Sequence, residues 1–137
     1  MHTPLGNKVG YRVRFDESLS KHTKVKFLTD GMLLREAILD PQLKKYGVIV
    51  LDEAHERTVN SDVLLAIVKE IAKSRKDLKI VVMSATLQIP KFQAYFSDLC
   101  DQSSNVVQVE GRTFPIEIYN SLTPQQDYVQ AVVKAVI

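Results

Sequence analysis

An α/β fold built on a mostly parallel sheet is what this sequence predicts, and three features carry it. Short, β-branched apolar runs such as "GVIVLD" (47–52) and "KIVVMSAT" (79–86) have the character of strands covered on both faces. Between them, "DVLLAIVKEIAKSRK" (62–76) has helical periodicity, with Val63, Leu64, Ile67, Val68 and Ile71 on one face and charge opposite. Strand, helix, strand, helix, strand at these lengths implies βαβ units with right-handed crossovers.

The remaining elements follow in chain order. "VGYRVRF" (9–15) is strand-like, with Arg12 and Arg14 on one face and Val9, Tyr11, Val13 and Phe15 on the other. "KVKFLT" (24–29) alternates polar and apolar and predicts a strand. Thr29 or Asp30 then caps a helix over "GMLLREAIL" that stops before Pro41. "PKFQAYF" (90–96) predicts a short helix with proline in its first turn, and "NVVQVE" (105–110) a further strand. In "EGRTFPIEIYN" (110–120) a glycine and a proline flank a linker, followed by a strand. "TPQQDYVQAVVKAVI" (123–137) predicts a helix with Thr123 as N-cap, Pro124 in the first turn and Gln126 completing a capping box. Its apolar face (Val129, Val132, Val133, Val136) calls for a surface to cover it, and the abrupt start before "VGYRVRF" adds the expectation that both ends are cut.

Composition narrows the class without naming it. A chain of 137 residues, 45% hydrophobic and 25% charged, has an ordinary globular balance and no case for disorder. A net charge of +2 neither requires nor excludes a nucleic-acid partner. The single cysteine, Cys100, forms no internal disulfide and offers no zinc cluster, which suits a reducing compartment. No apolar run approaches a membrane span and the first residues have no signal-peptide pattern, so the expectation is a soluble intracellular protein.

The chemistry concentrates in "VIVLDEAHERT" (48–58). In a parallel sheet, ligands bind beyond the carboxyl ends of the strands, where Asp52 and Glu53 fall. Magnesium on a nucleoside triphosphate keeps several waters, so one carboxylate suffices to hold it, and a neighbouring carboxylate can orient the attacking water. Apolar strand, Asp, Glu is thus the physical form of a Walker B element; a bare "LDE" equally suits a solvated acidic turn. A zinc site needs ligand spacing that "DEAHE" lacks. "SAT" (84–86) lies at another strand end, which a right-handed crossover puts beside the acidic one. Ser84 and Thr86 hydroxyls could then bond the acidic cluster, although three small residues also suit a plain turn. At "FLTDGMLLRE" (27–36) a helix N-terminus and the Thr29 hydroxyl suit a phosphate, with ordinary capping as the alternative. Arg12 and Arg14 suit either a solvated face or phosphate-backbone contacts.

"DEAHERT", "SAT" and "TDGMLLRE", in this order and spacing, resemble the DEAH-box family of ATP-dependent RNA helicases, and "VGYRVRF" and "EGRTFPIEIY" resemble the segments flanking those motifs. The resemblance implies RecA-like (P-loop NTPase type) domains, with ATP and Mg²⁺ between two of them and RNA across both. It implies that Asp52 holds magnesium through water, Glu53 orients the hydrolytic water and His55 couples the nucleotide state to the second domain. Ser84, Ala85 and Thr86, with Arg57, are the implied coupling residues. Thr29, Asp30 and Gly31 are implied in RNA contact, with Arg12 and Arg14 near another strand-gripping region. Residues 1–113 would be the latter part of the first RecA-like domain, and 114–137 a linker and the beginning of the second. The family's GxxxxGK[ST] loop does not occur in the 137 residues, so the sheet is expected to be incomplete and the chain alone inactive. Pre-mRNA splicing or ribosome biogenesis, a nuclear or nucleolar setting with the cytoplasm as the alternative, and G-patch-type or other protein activators follow from the resemblance. A truncated, non-catalytic RNA- or protein-binding module is the alternative expectation.

Overall fold

The computed structural model describes residues 4–85, 89–99, 106–109, 111 and 114–136. The chain forms two compact units, Met1–Val106 and Val107–Ile137, and the expected domain boundary at 113/114 lies inside the second.

The first unit opens with a hairpin. β1 (Val9–Val13) pairs antiparallel with β2 (Asp16–Ser18) around the two-residue turn Arg14–Phe15, with Val13 opposite Asp16. β3 (Val25–Leu28) joins the other side of β1 in parallel, giving the order β2-β1-β3. Gly10 is required by a close approach, because a β-carbon there would collide with the Ser18 carbonyl oxygen. From β3 the chain enters α1 (Asp30–Leu39), which stops at Asp40, since the residue before Pro41 is biased out of helical geometry. Asp40 then accepts from the Gln42 and Lys44 N–H groups at 3.3 and 2.7 Å and folds the return turn.

β4 (Val48–Leu51), α2 (Val59–Ser74) and β5 (Lys79–Val82) form the expected βαβ unit. The two strands pair in parallel, from Val48 opposite Lys79 to Leu51 opposite Val82. Arg75, just past α2, holds the approach to β4: it donates to the carbonyls of Gln42, Leu43 and Tyr46 at 2.9, 2.8 and 3.0 Å. That clamp supports Leu43, a buried residue with a left-handed backbone (φ 44°). α3 (Ile89–Tyr95) follows, with Pro90 in its first turn. One core underlies both sheets: Leu33 and Ala37 of α1 and Leu64, Val68 and Ile71 of α2 meet Ile49 and Leu51 of β4, with Leu28 and Val82 packed at the edge.

The architecture is an α/β fold with small parallel strand pairs flanked by helices, in keeping with part of a RecA-like domain. Among the described residues β3 and β4 are not hydrogen-bonded, so the sheet is in two pieces, in line with the incomplete sheet expected. Other expectations are corrected. β4 and β5 are not covered on both faces: Ile49 and Leu51 are buried, but Val48 and Val50 are 56% and 51% exposed. Both α1 and α2 lie against the Ile49–Leu51 side, which leaves the opposite side open. α2 begins at Val59, earlier than position 62, and its buried stripe takes in Leu65, while Val63 is exposed. Arg14 lies in the hairpin turn instead of on a strand face beside Arg12, and its guanidinium stacks on Phe15 at 5.0 Å.

Beyond α3, residues 106–109 and 114–120 form no strand. A strand needs a partner for its backbone groups, and among the described residues these segments have none. α4 (Tyr128–Val136) starts five residues beyond the expected cap. Asp127 takes that role, accepting from the Gln130 N–H at 3.1 Å, while the Thr123 carbonyl is engaged by Ser121 and Gln125. The apolar face of α4 (Val129, Val132, Val133, Val136) is exposed. Thr86, Cys100 and the ends of the 105–110 segment lie outside the described residues. Among the described residues no helix is long and apolar enough to cross a membrane.

Candidate functional site

The site grows from the carboxyl end of the β4–β5 pair. The ladder runs past the strands: Met83 N–H donates to the Leu51 carbonyl at 2.8 Å, and Ala54 N–H to the Met83 carbonyl at 3.0 Å. These two bonds pin the chain on either side of Asp52 and Glu53. Ala54–Glu56 then form a single 3-10 turn, bracketed by Glu53 (φ 52°) and Arg57 (φ 50°), both left-handed. Such geometry costs a non-glycine residue about 1–2 kcal/mol and persists only where neighbouring bonds enforce it. Here the buried Ala54 and its bond to Met83 enforce it. Sequence periodicity ends the strand correctly but carries no sign of this strained turn.

Both carboxylates face solvent. Asp52 Oδ1 accepts from the Glu53 N–H at 2.8 Å, and its second oxygen has no hydrogen-bond partner among the described residues. His55 is half-buried, and its Nδ1 lies 3.4 Å from both the Ala85 N–H and Glu53 Oε2. One ring nitrogen thus stands between a donor and an acceptor, and the tautomer selects which of them it bonds. The structure therefore brings Asp52, Glu53, His55, Ala85 and the adjoining Ser84 together at one sheet end, as the crossover predicts. Among the described residues no group of three or more His, Cys, Asp or Glu side chains could hold a metal. A lone strand-end aspartate with a free oxygen fits a hydrated magnesium ion, which takes one or two carboxylates and keeps its waters.

Arg57 turns away from this cluster. It makes a bidentate pair with Asp62 at 2.7 and 3.0 Å, and the guanidinium holds the Asp62 carboxyl below its usual range. Thr58 caps α2, accepting from the Ser61 N–H at 3.1 Å. Ser61 Oγ donates in turn to Asp30 Oδ2 at 2.6 Å, so the start of α2 is bonded to the start of α1. There Thr29 stands at the N-cap of α1, exposed, with its hydroxyl making no cap bond. Gly31 lies beside Asn60.

Arg12 is less available than a strand-face arginine. Its guanidinium bonds Glu17 at 2.5 Å and reaches Glu36 at 3.3 Å. Glu36, the last residue of "TDGMLLRE", also accepts from Lys26 at 2.7 Å and the Tyr46 hydroxyl at 2.5 Å. Burial acts to raise the Glu36 carboxyl, but the Lys26 and Tyr46 hydrogen bonds outweigh it and hold the group below its ordinary value. The Tyr46 phenol is pushed upward, chiefly by burial and then by Glu36.

Sequence reasoning missed Ser61, Thr58 and Glu36 as organisers. "TVNSD" does put a threonine, a preferred N-cap residue, just before the helical run, which would have placed Thr58. Nothing local marks Glu36, whose partners come from β1, β3 and the approach to β4. A family model described as DEAD/DEAH box helicase matches residues 7–94, which span the acidic turn, the "SAT" strand end and the start of α1.

Proposed function

The chain belongs to the DEAD/DEAH box helicase family, and from that premise we propose that it is part of an ATP-dependent RNA helicase of DEAH type. The observation that carries this reading is the sheet end where Asp52 and Glu53 leave β4, cross-tied to β5 through Met83, with His55 against Ala85. The literal Asp-Glu-Ala-His at 52–55 supports the DEAH type.

In this reading Asp52 holds magnesium through water by its free oxygen. The ion supplies positive charge to the oxygens of a nucleoside triphosphate. Glu53 orients the water that attacks the γ-phosphate, and its backbone strain fixes where the carboxylate starts. His55, bonded to Glu53 or Ala85 by tautomer, passes the state of the acidic turn to the "SAT" strand end. Thr29, with an uncommitted hydroxyl at a helix start, and Gly31 grip RNA phosphates through side chain and backbone. Arg12 contributes when a phosphate displaces one of its carboxylate partners, and Arg14 contributes from the hairpin turn. Pre-mRNA splicing or ribosome biogenesis is the proposed setting, resting on the resemblance alone.

These 137 residues contain no GxxxxGK[ST] loop, so the chain by itself is expected to bind RNA with little or no ATP turnover. Oligouridylate binding followed by fluorescence anisotropy tests this. Affinity should fall steeply with salt, and Thr29→Ala should weaken it about three-fold. No binding at low salt overturns the RNA reading. RNA-stimulated ATP turnover that Glu53→Gln abolishes would show the chain to be an enzyme unaided.

A further inference from the structure

Asp30 and Ser61 lie 31 positions apart in the chain and meet through one hydroxyl. A serine hydroxyl has a single proton, and a carboxylate only accepts, so the 2.6 Å contact sends the Ser61 proton to Asp30. Thr58 Oγ1 lies 2.6 Å from the same serine oxygen, and with that proton spent Thr58 is the donor there. Thr58 Oγ1 also accepts from the Ser61 N–H. The result is a directed chain, Thr58 to Ser61 to Asp30, ending on a charged acceptor, the stronger class of hydrogen bond.

Each end of this chain is rooted in one turn of the site. Thr58 follows Arg57, the left-handed residue that closes the Glu53–Arg57 turn, and Arg57 grips Asp62 in the first turn of α2. Asp30 is the first residue of α1, beside Thr29 and Gly31. The start of α1 is not fastened by its own cap, because the Thr29 side chain makes no cap bond. Its side-chain anchor is Ser61, on the other helix.

We infer that Ser61 is a positioning residue that fastens the Thr29–Gly31 turn to the Glu53–Thr58 turn, so that a displacement of either is passed to the other. Its functional meaning, coupling of RNA contact to the hydrolytic carboxylates, rests on the reading proposed above. The fastening itself does not.

Amide hydrogen exchange on the 137-residue chain, resolved by NMR, separates the two. The reporters are Glu56 and Asp62, whose N–H groups bond the Glu53 and Thr58 carbonyls, and Met32 and Leu33, which bond Thr29. Asp30→Ala should speed exchange at Glu56 and Asp62 about five-fold, and Ser61→Ala should do the same at Met32 and Leu33. Combined, the two should exceed neither single change, while Ser61→Thr, which keeps the hydroxyl, should restore native rates. A merely local packing defect would stay within one helix and add to the other. If either alanine variant fails to fold, Asp30→Leu and Ser61→Gly, which likewise remove the acceptor and the donor, close the same cycle. Effects that do not cross between the helices, or that add, overturn the inference. Oligouridylate is then added to the native chain. Failure to protect Met32 and Leu33 would overturn the RNA reading while leaving the Asp30–Ser61 cycle to stand or fall by itself.

Discussion

Removing the Glu36 carboxylate should destabilise the first unit more than any exposed charge would. Glu36 is 17% exposed and Lys26 18%, so both sit where water only partly replaces a lost partner. Glu36→Ala deletes two short bonds, to Lys26 at 2.7 Å and Tyr46 at 2.5 Å, and a long one to Arg12 at 3.3 Å. Taking about 1 kcal/mol for each short bond after discounting for partial exposure, and a few tenths for the third, gives about 2–3 kcal/mol. Glu36→Gln keeps the shape and one acceptor and should cost about 1 kcal/mol. The sign of the pH dependence follows from the carboxyl, which is held below its ordinary value of 4.5 in the fold. Its contribution is complete above that value and is lost as pH falls through the lowered one, so native and Glu36→Gln stabilities should converge in acid. Urea denaturation followed by circular dichroism at neutral pH and in steps into acid measures both quantities. A loss under about 0.5 kcal/mol for Glu36→Ala, or a native-to-Gln gap that does not shrink in acid, would refute the reasoning.

Two further outcomes are expected of the same fold. Leu64 of α2, fully buried in the core it shares with α1 and β4, should cost about 3–5 kcal/mol as Leu64→Ala, read as a lower urea midpoint with unchanged slope. Gly10→Ala forces a β-carbon against the Ser18 carbonyl and should cost about 1–3 kcal/mol, with β2 amides losing exchange protection before those of β4.

The presence and order of β1, β3, β4 and β5 and of the helix between β4 and β5 are legible along the chain, because periodicity and capping act over a few residues. The misread segments share one cause. Residues 106–109 and 114–120 have strand-like composition, but a strand is completed by a partner ladder, and composition cannot supply one. Val48 and Val50 look like core for the same reason: β-branched character marks a strand without saying which of its faces is covered. Arg14 falls in a turn because the hairpin closes two residues after Val13, a register set by pairing with β2.

Read alone, the sequence points to the helicase family, to the order of the main strands and helices and to the candidate residues, since short motifs such as "DEAHERT" are local and need no partner to be read. Tertiary structure alone decided how those motifs are joined. The left-handed turn at Glu53 exists because Ala54 reaches Met83, just past the end of β5. Arg12 is engaged by carboxylates because Glu36 arrives from α1. The "TDG" turn is tied to the acidic turn because Ser61 and Asp30, 31 residues apart, come within 2.6 Å. Each is a contact between distant residues, and only packing around the Leu64–Ile49 core brings such residues together.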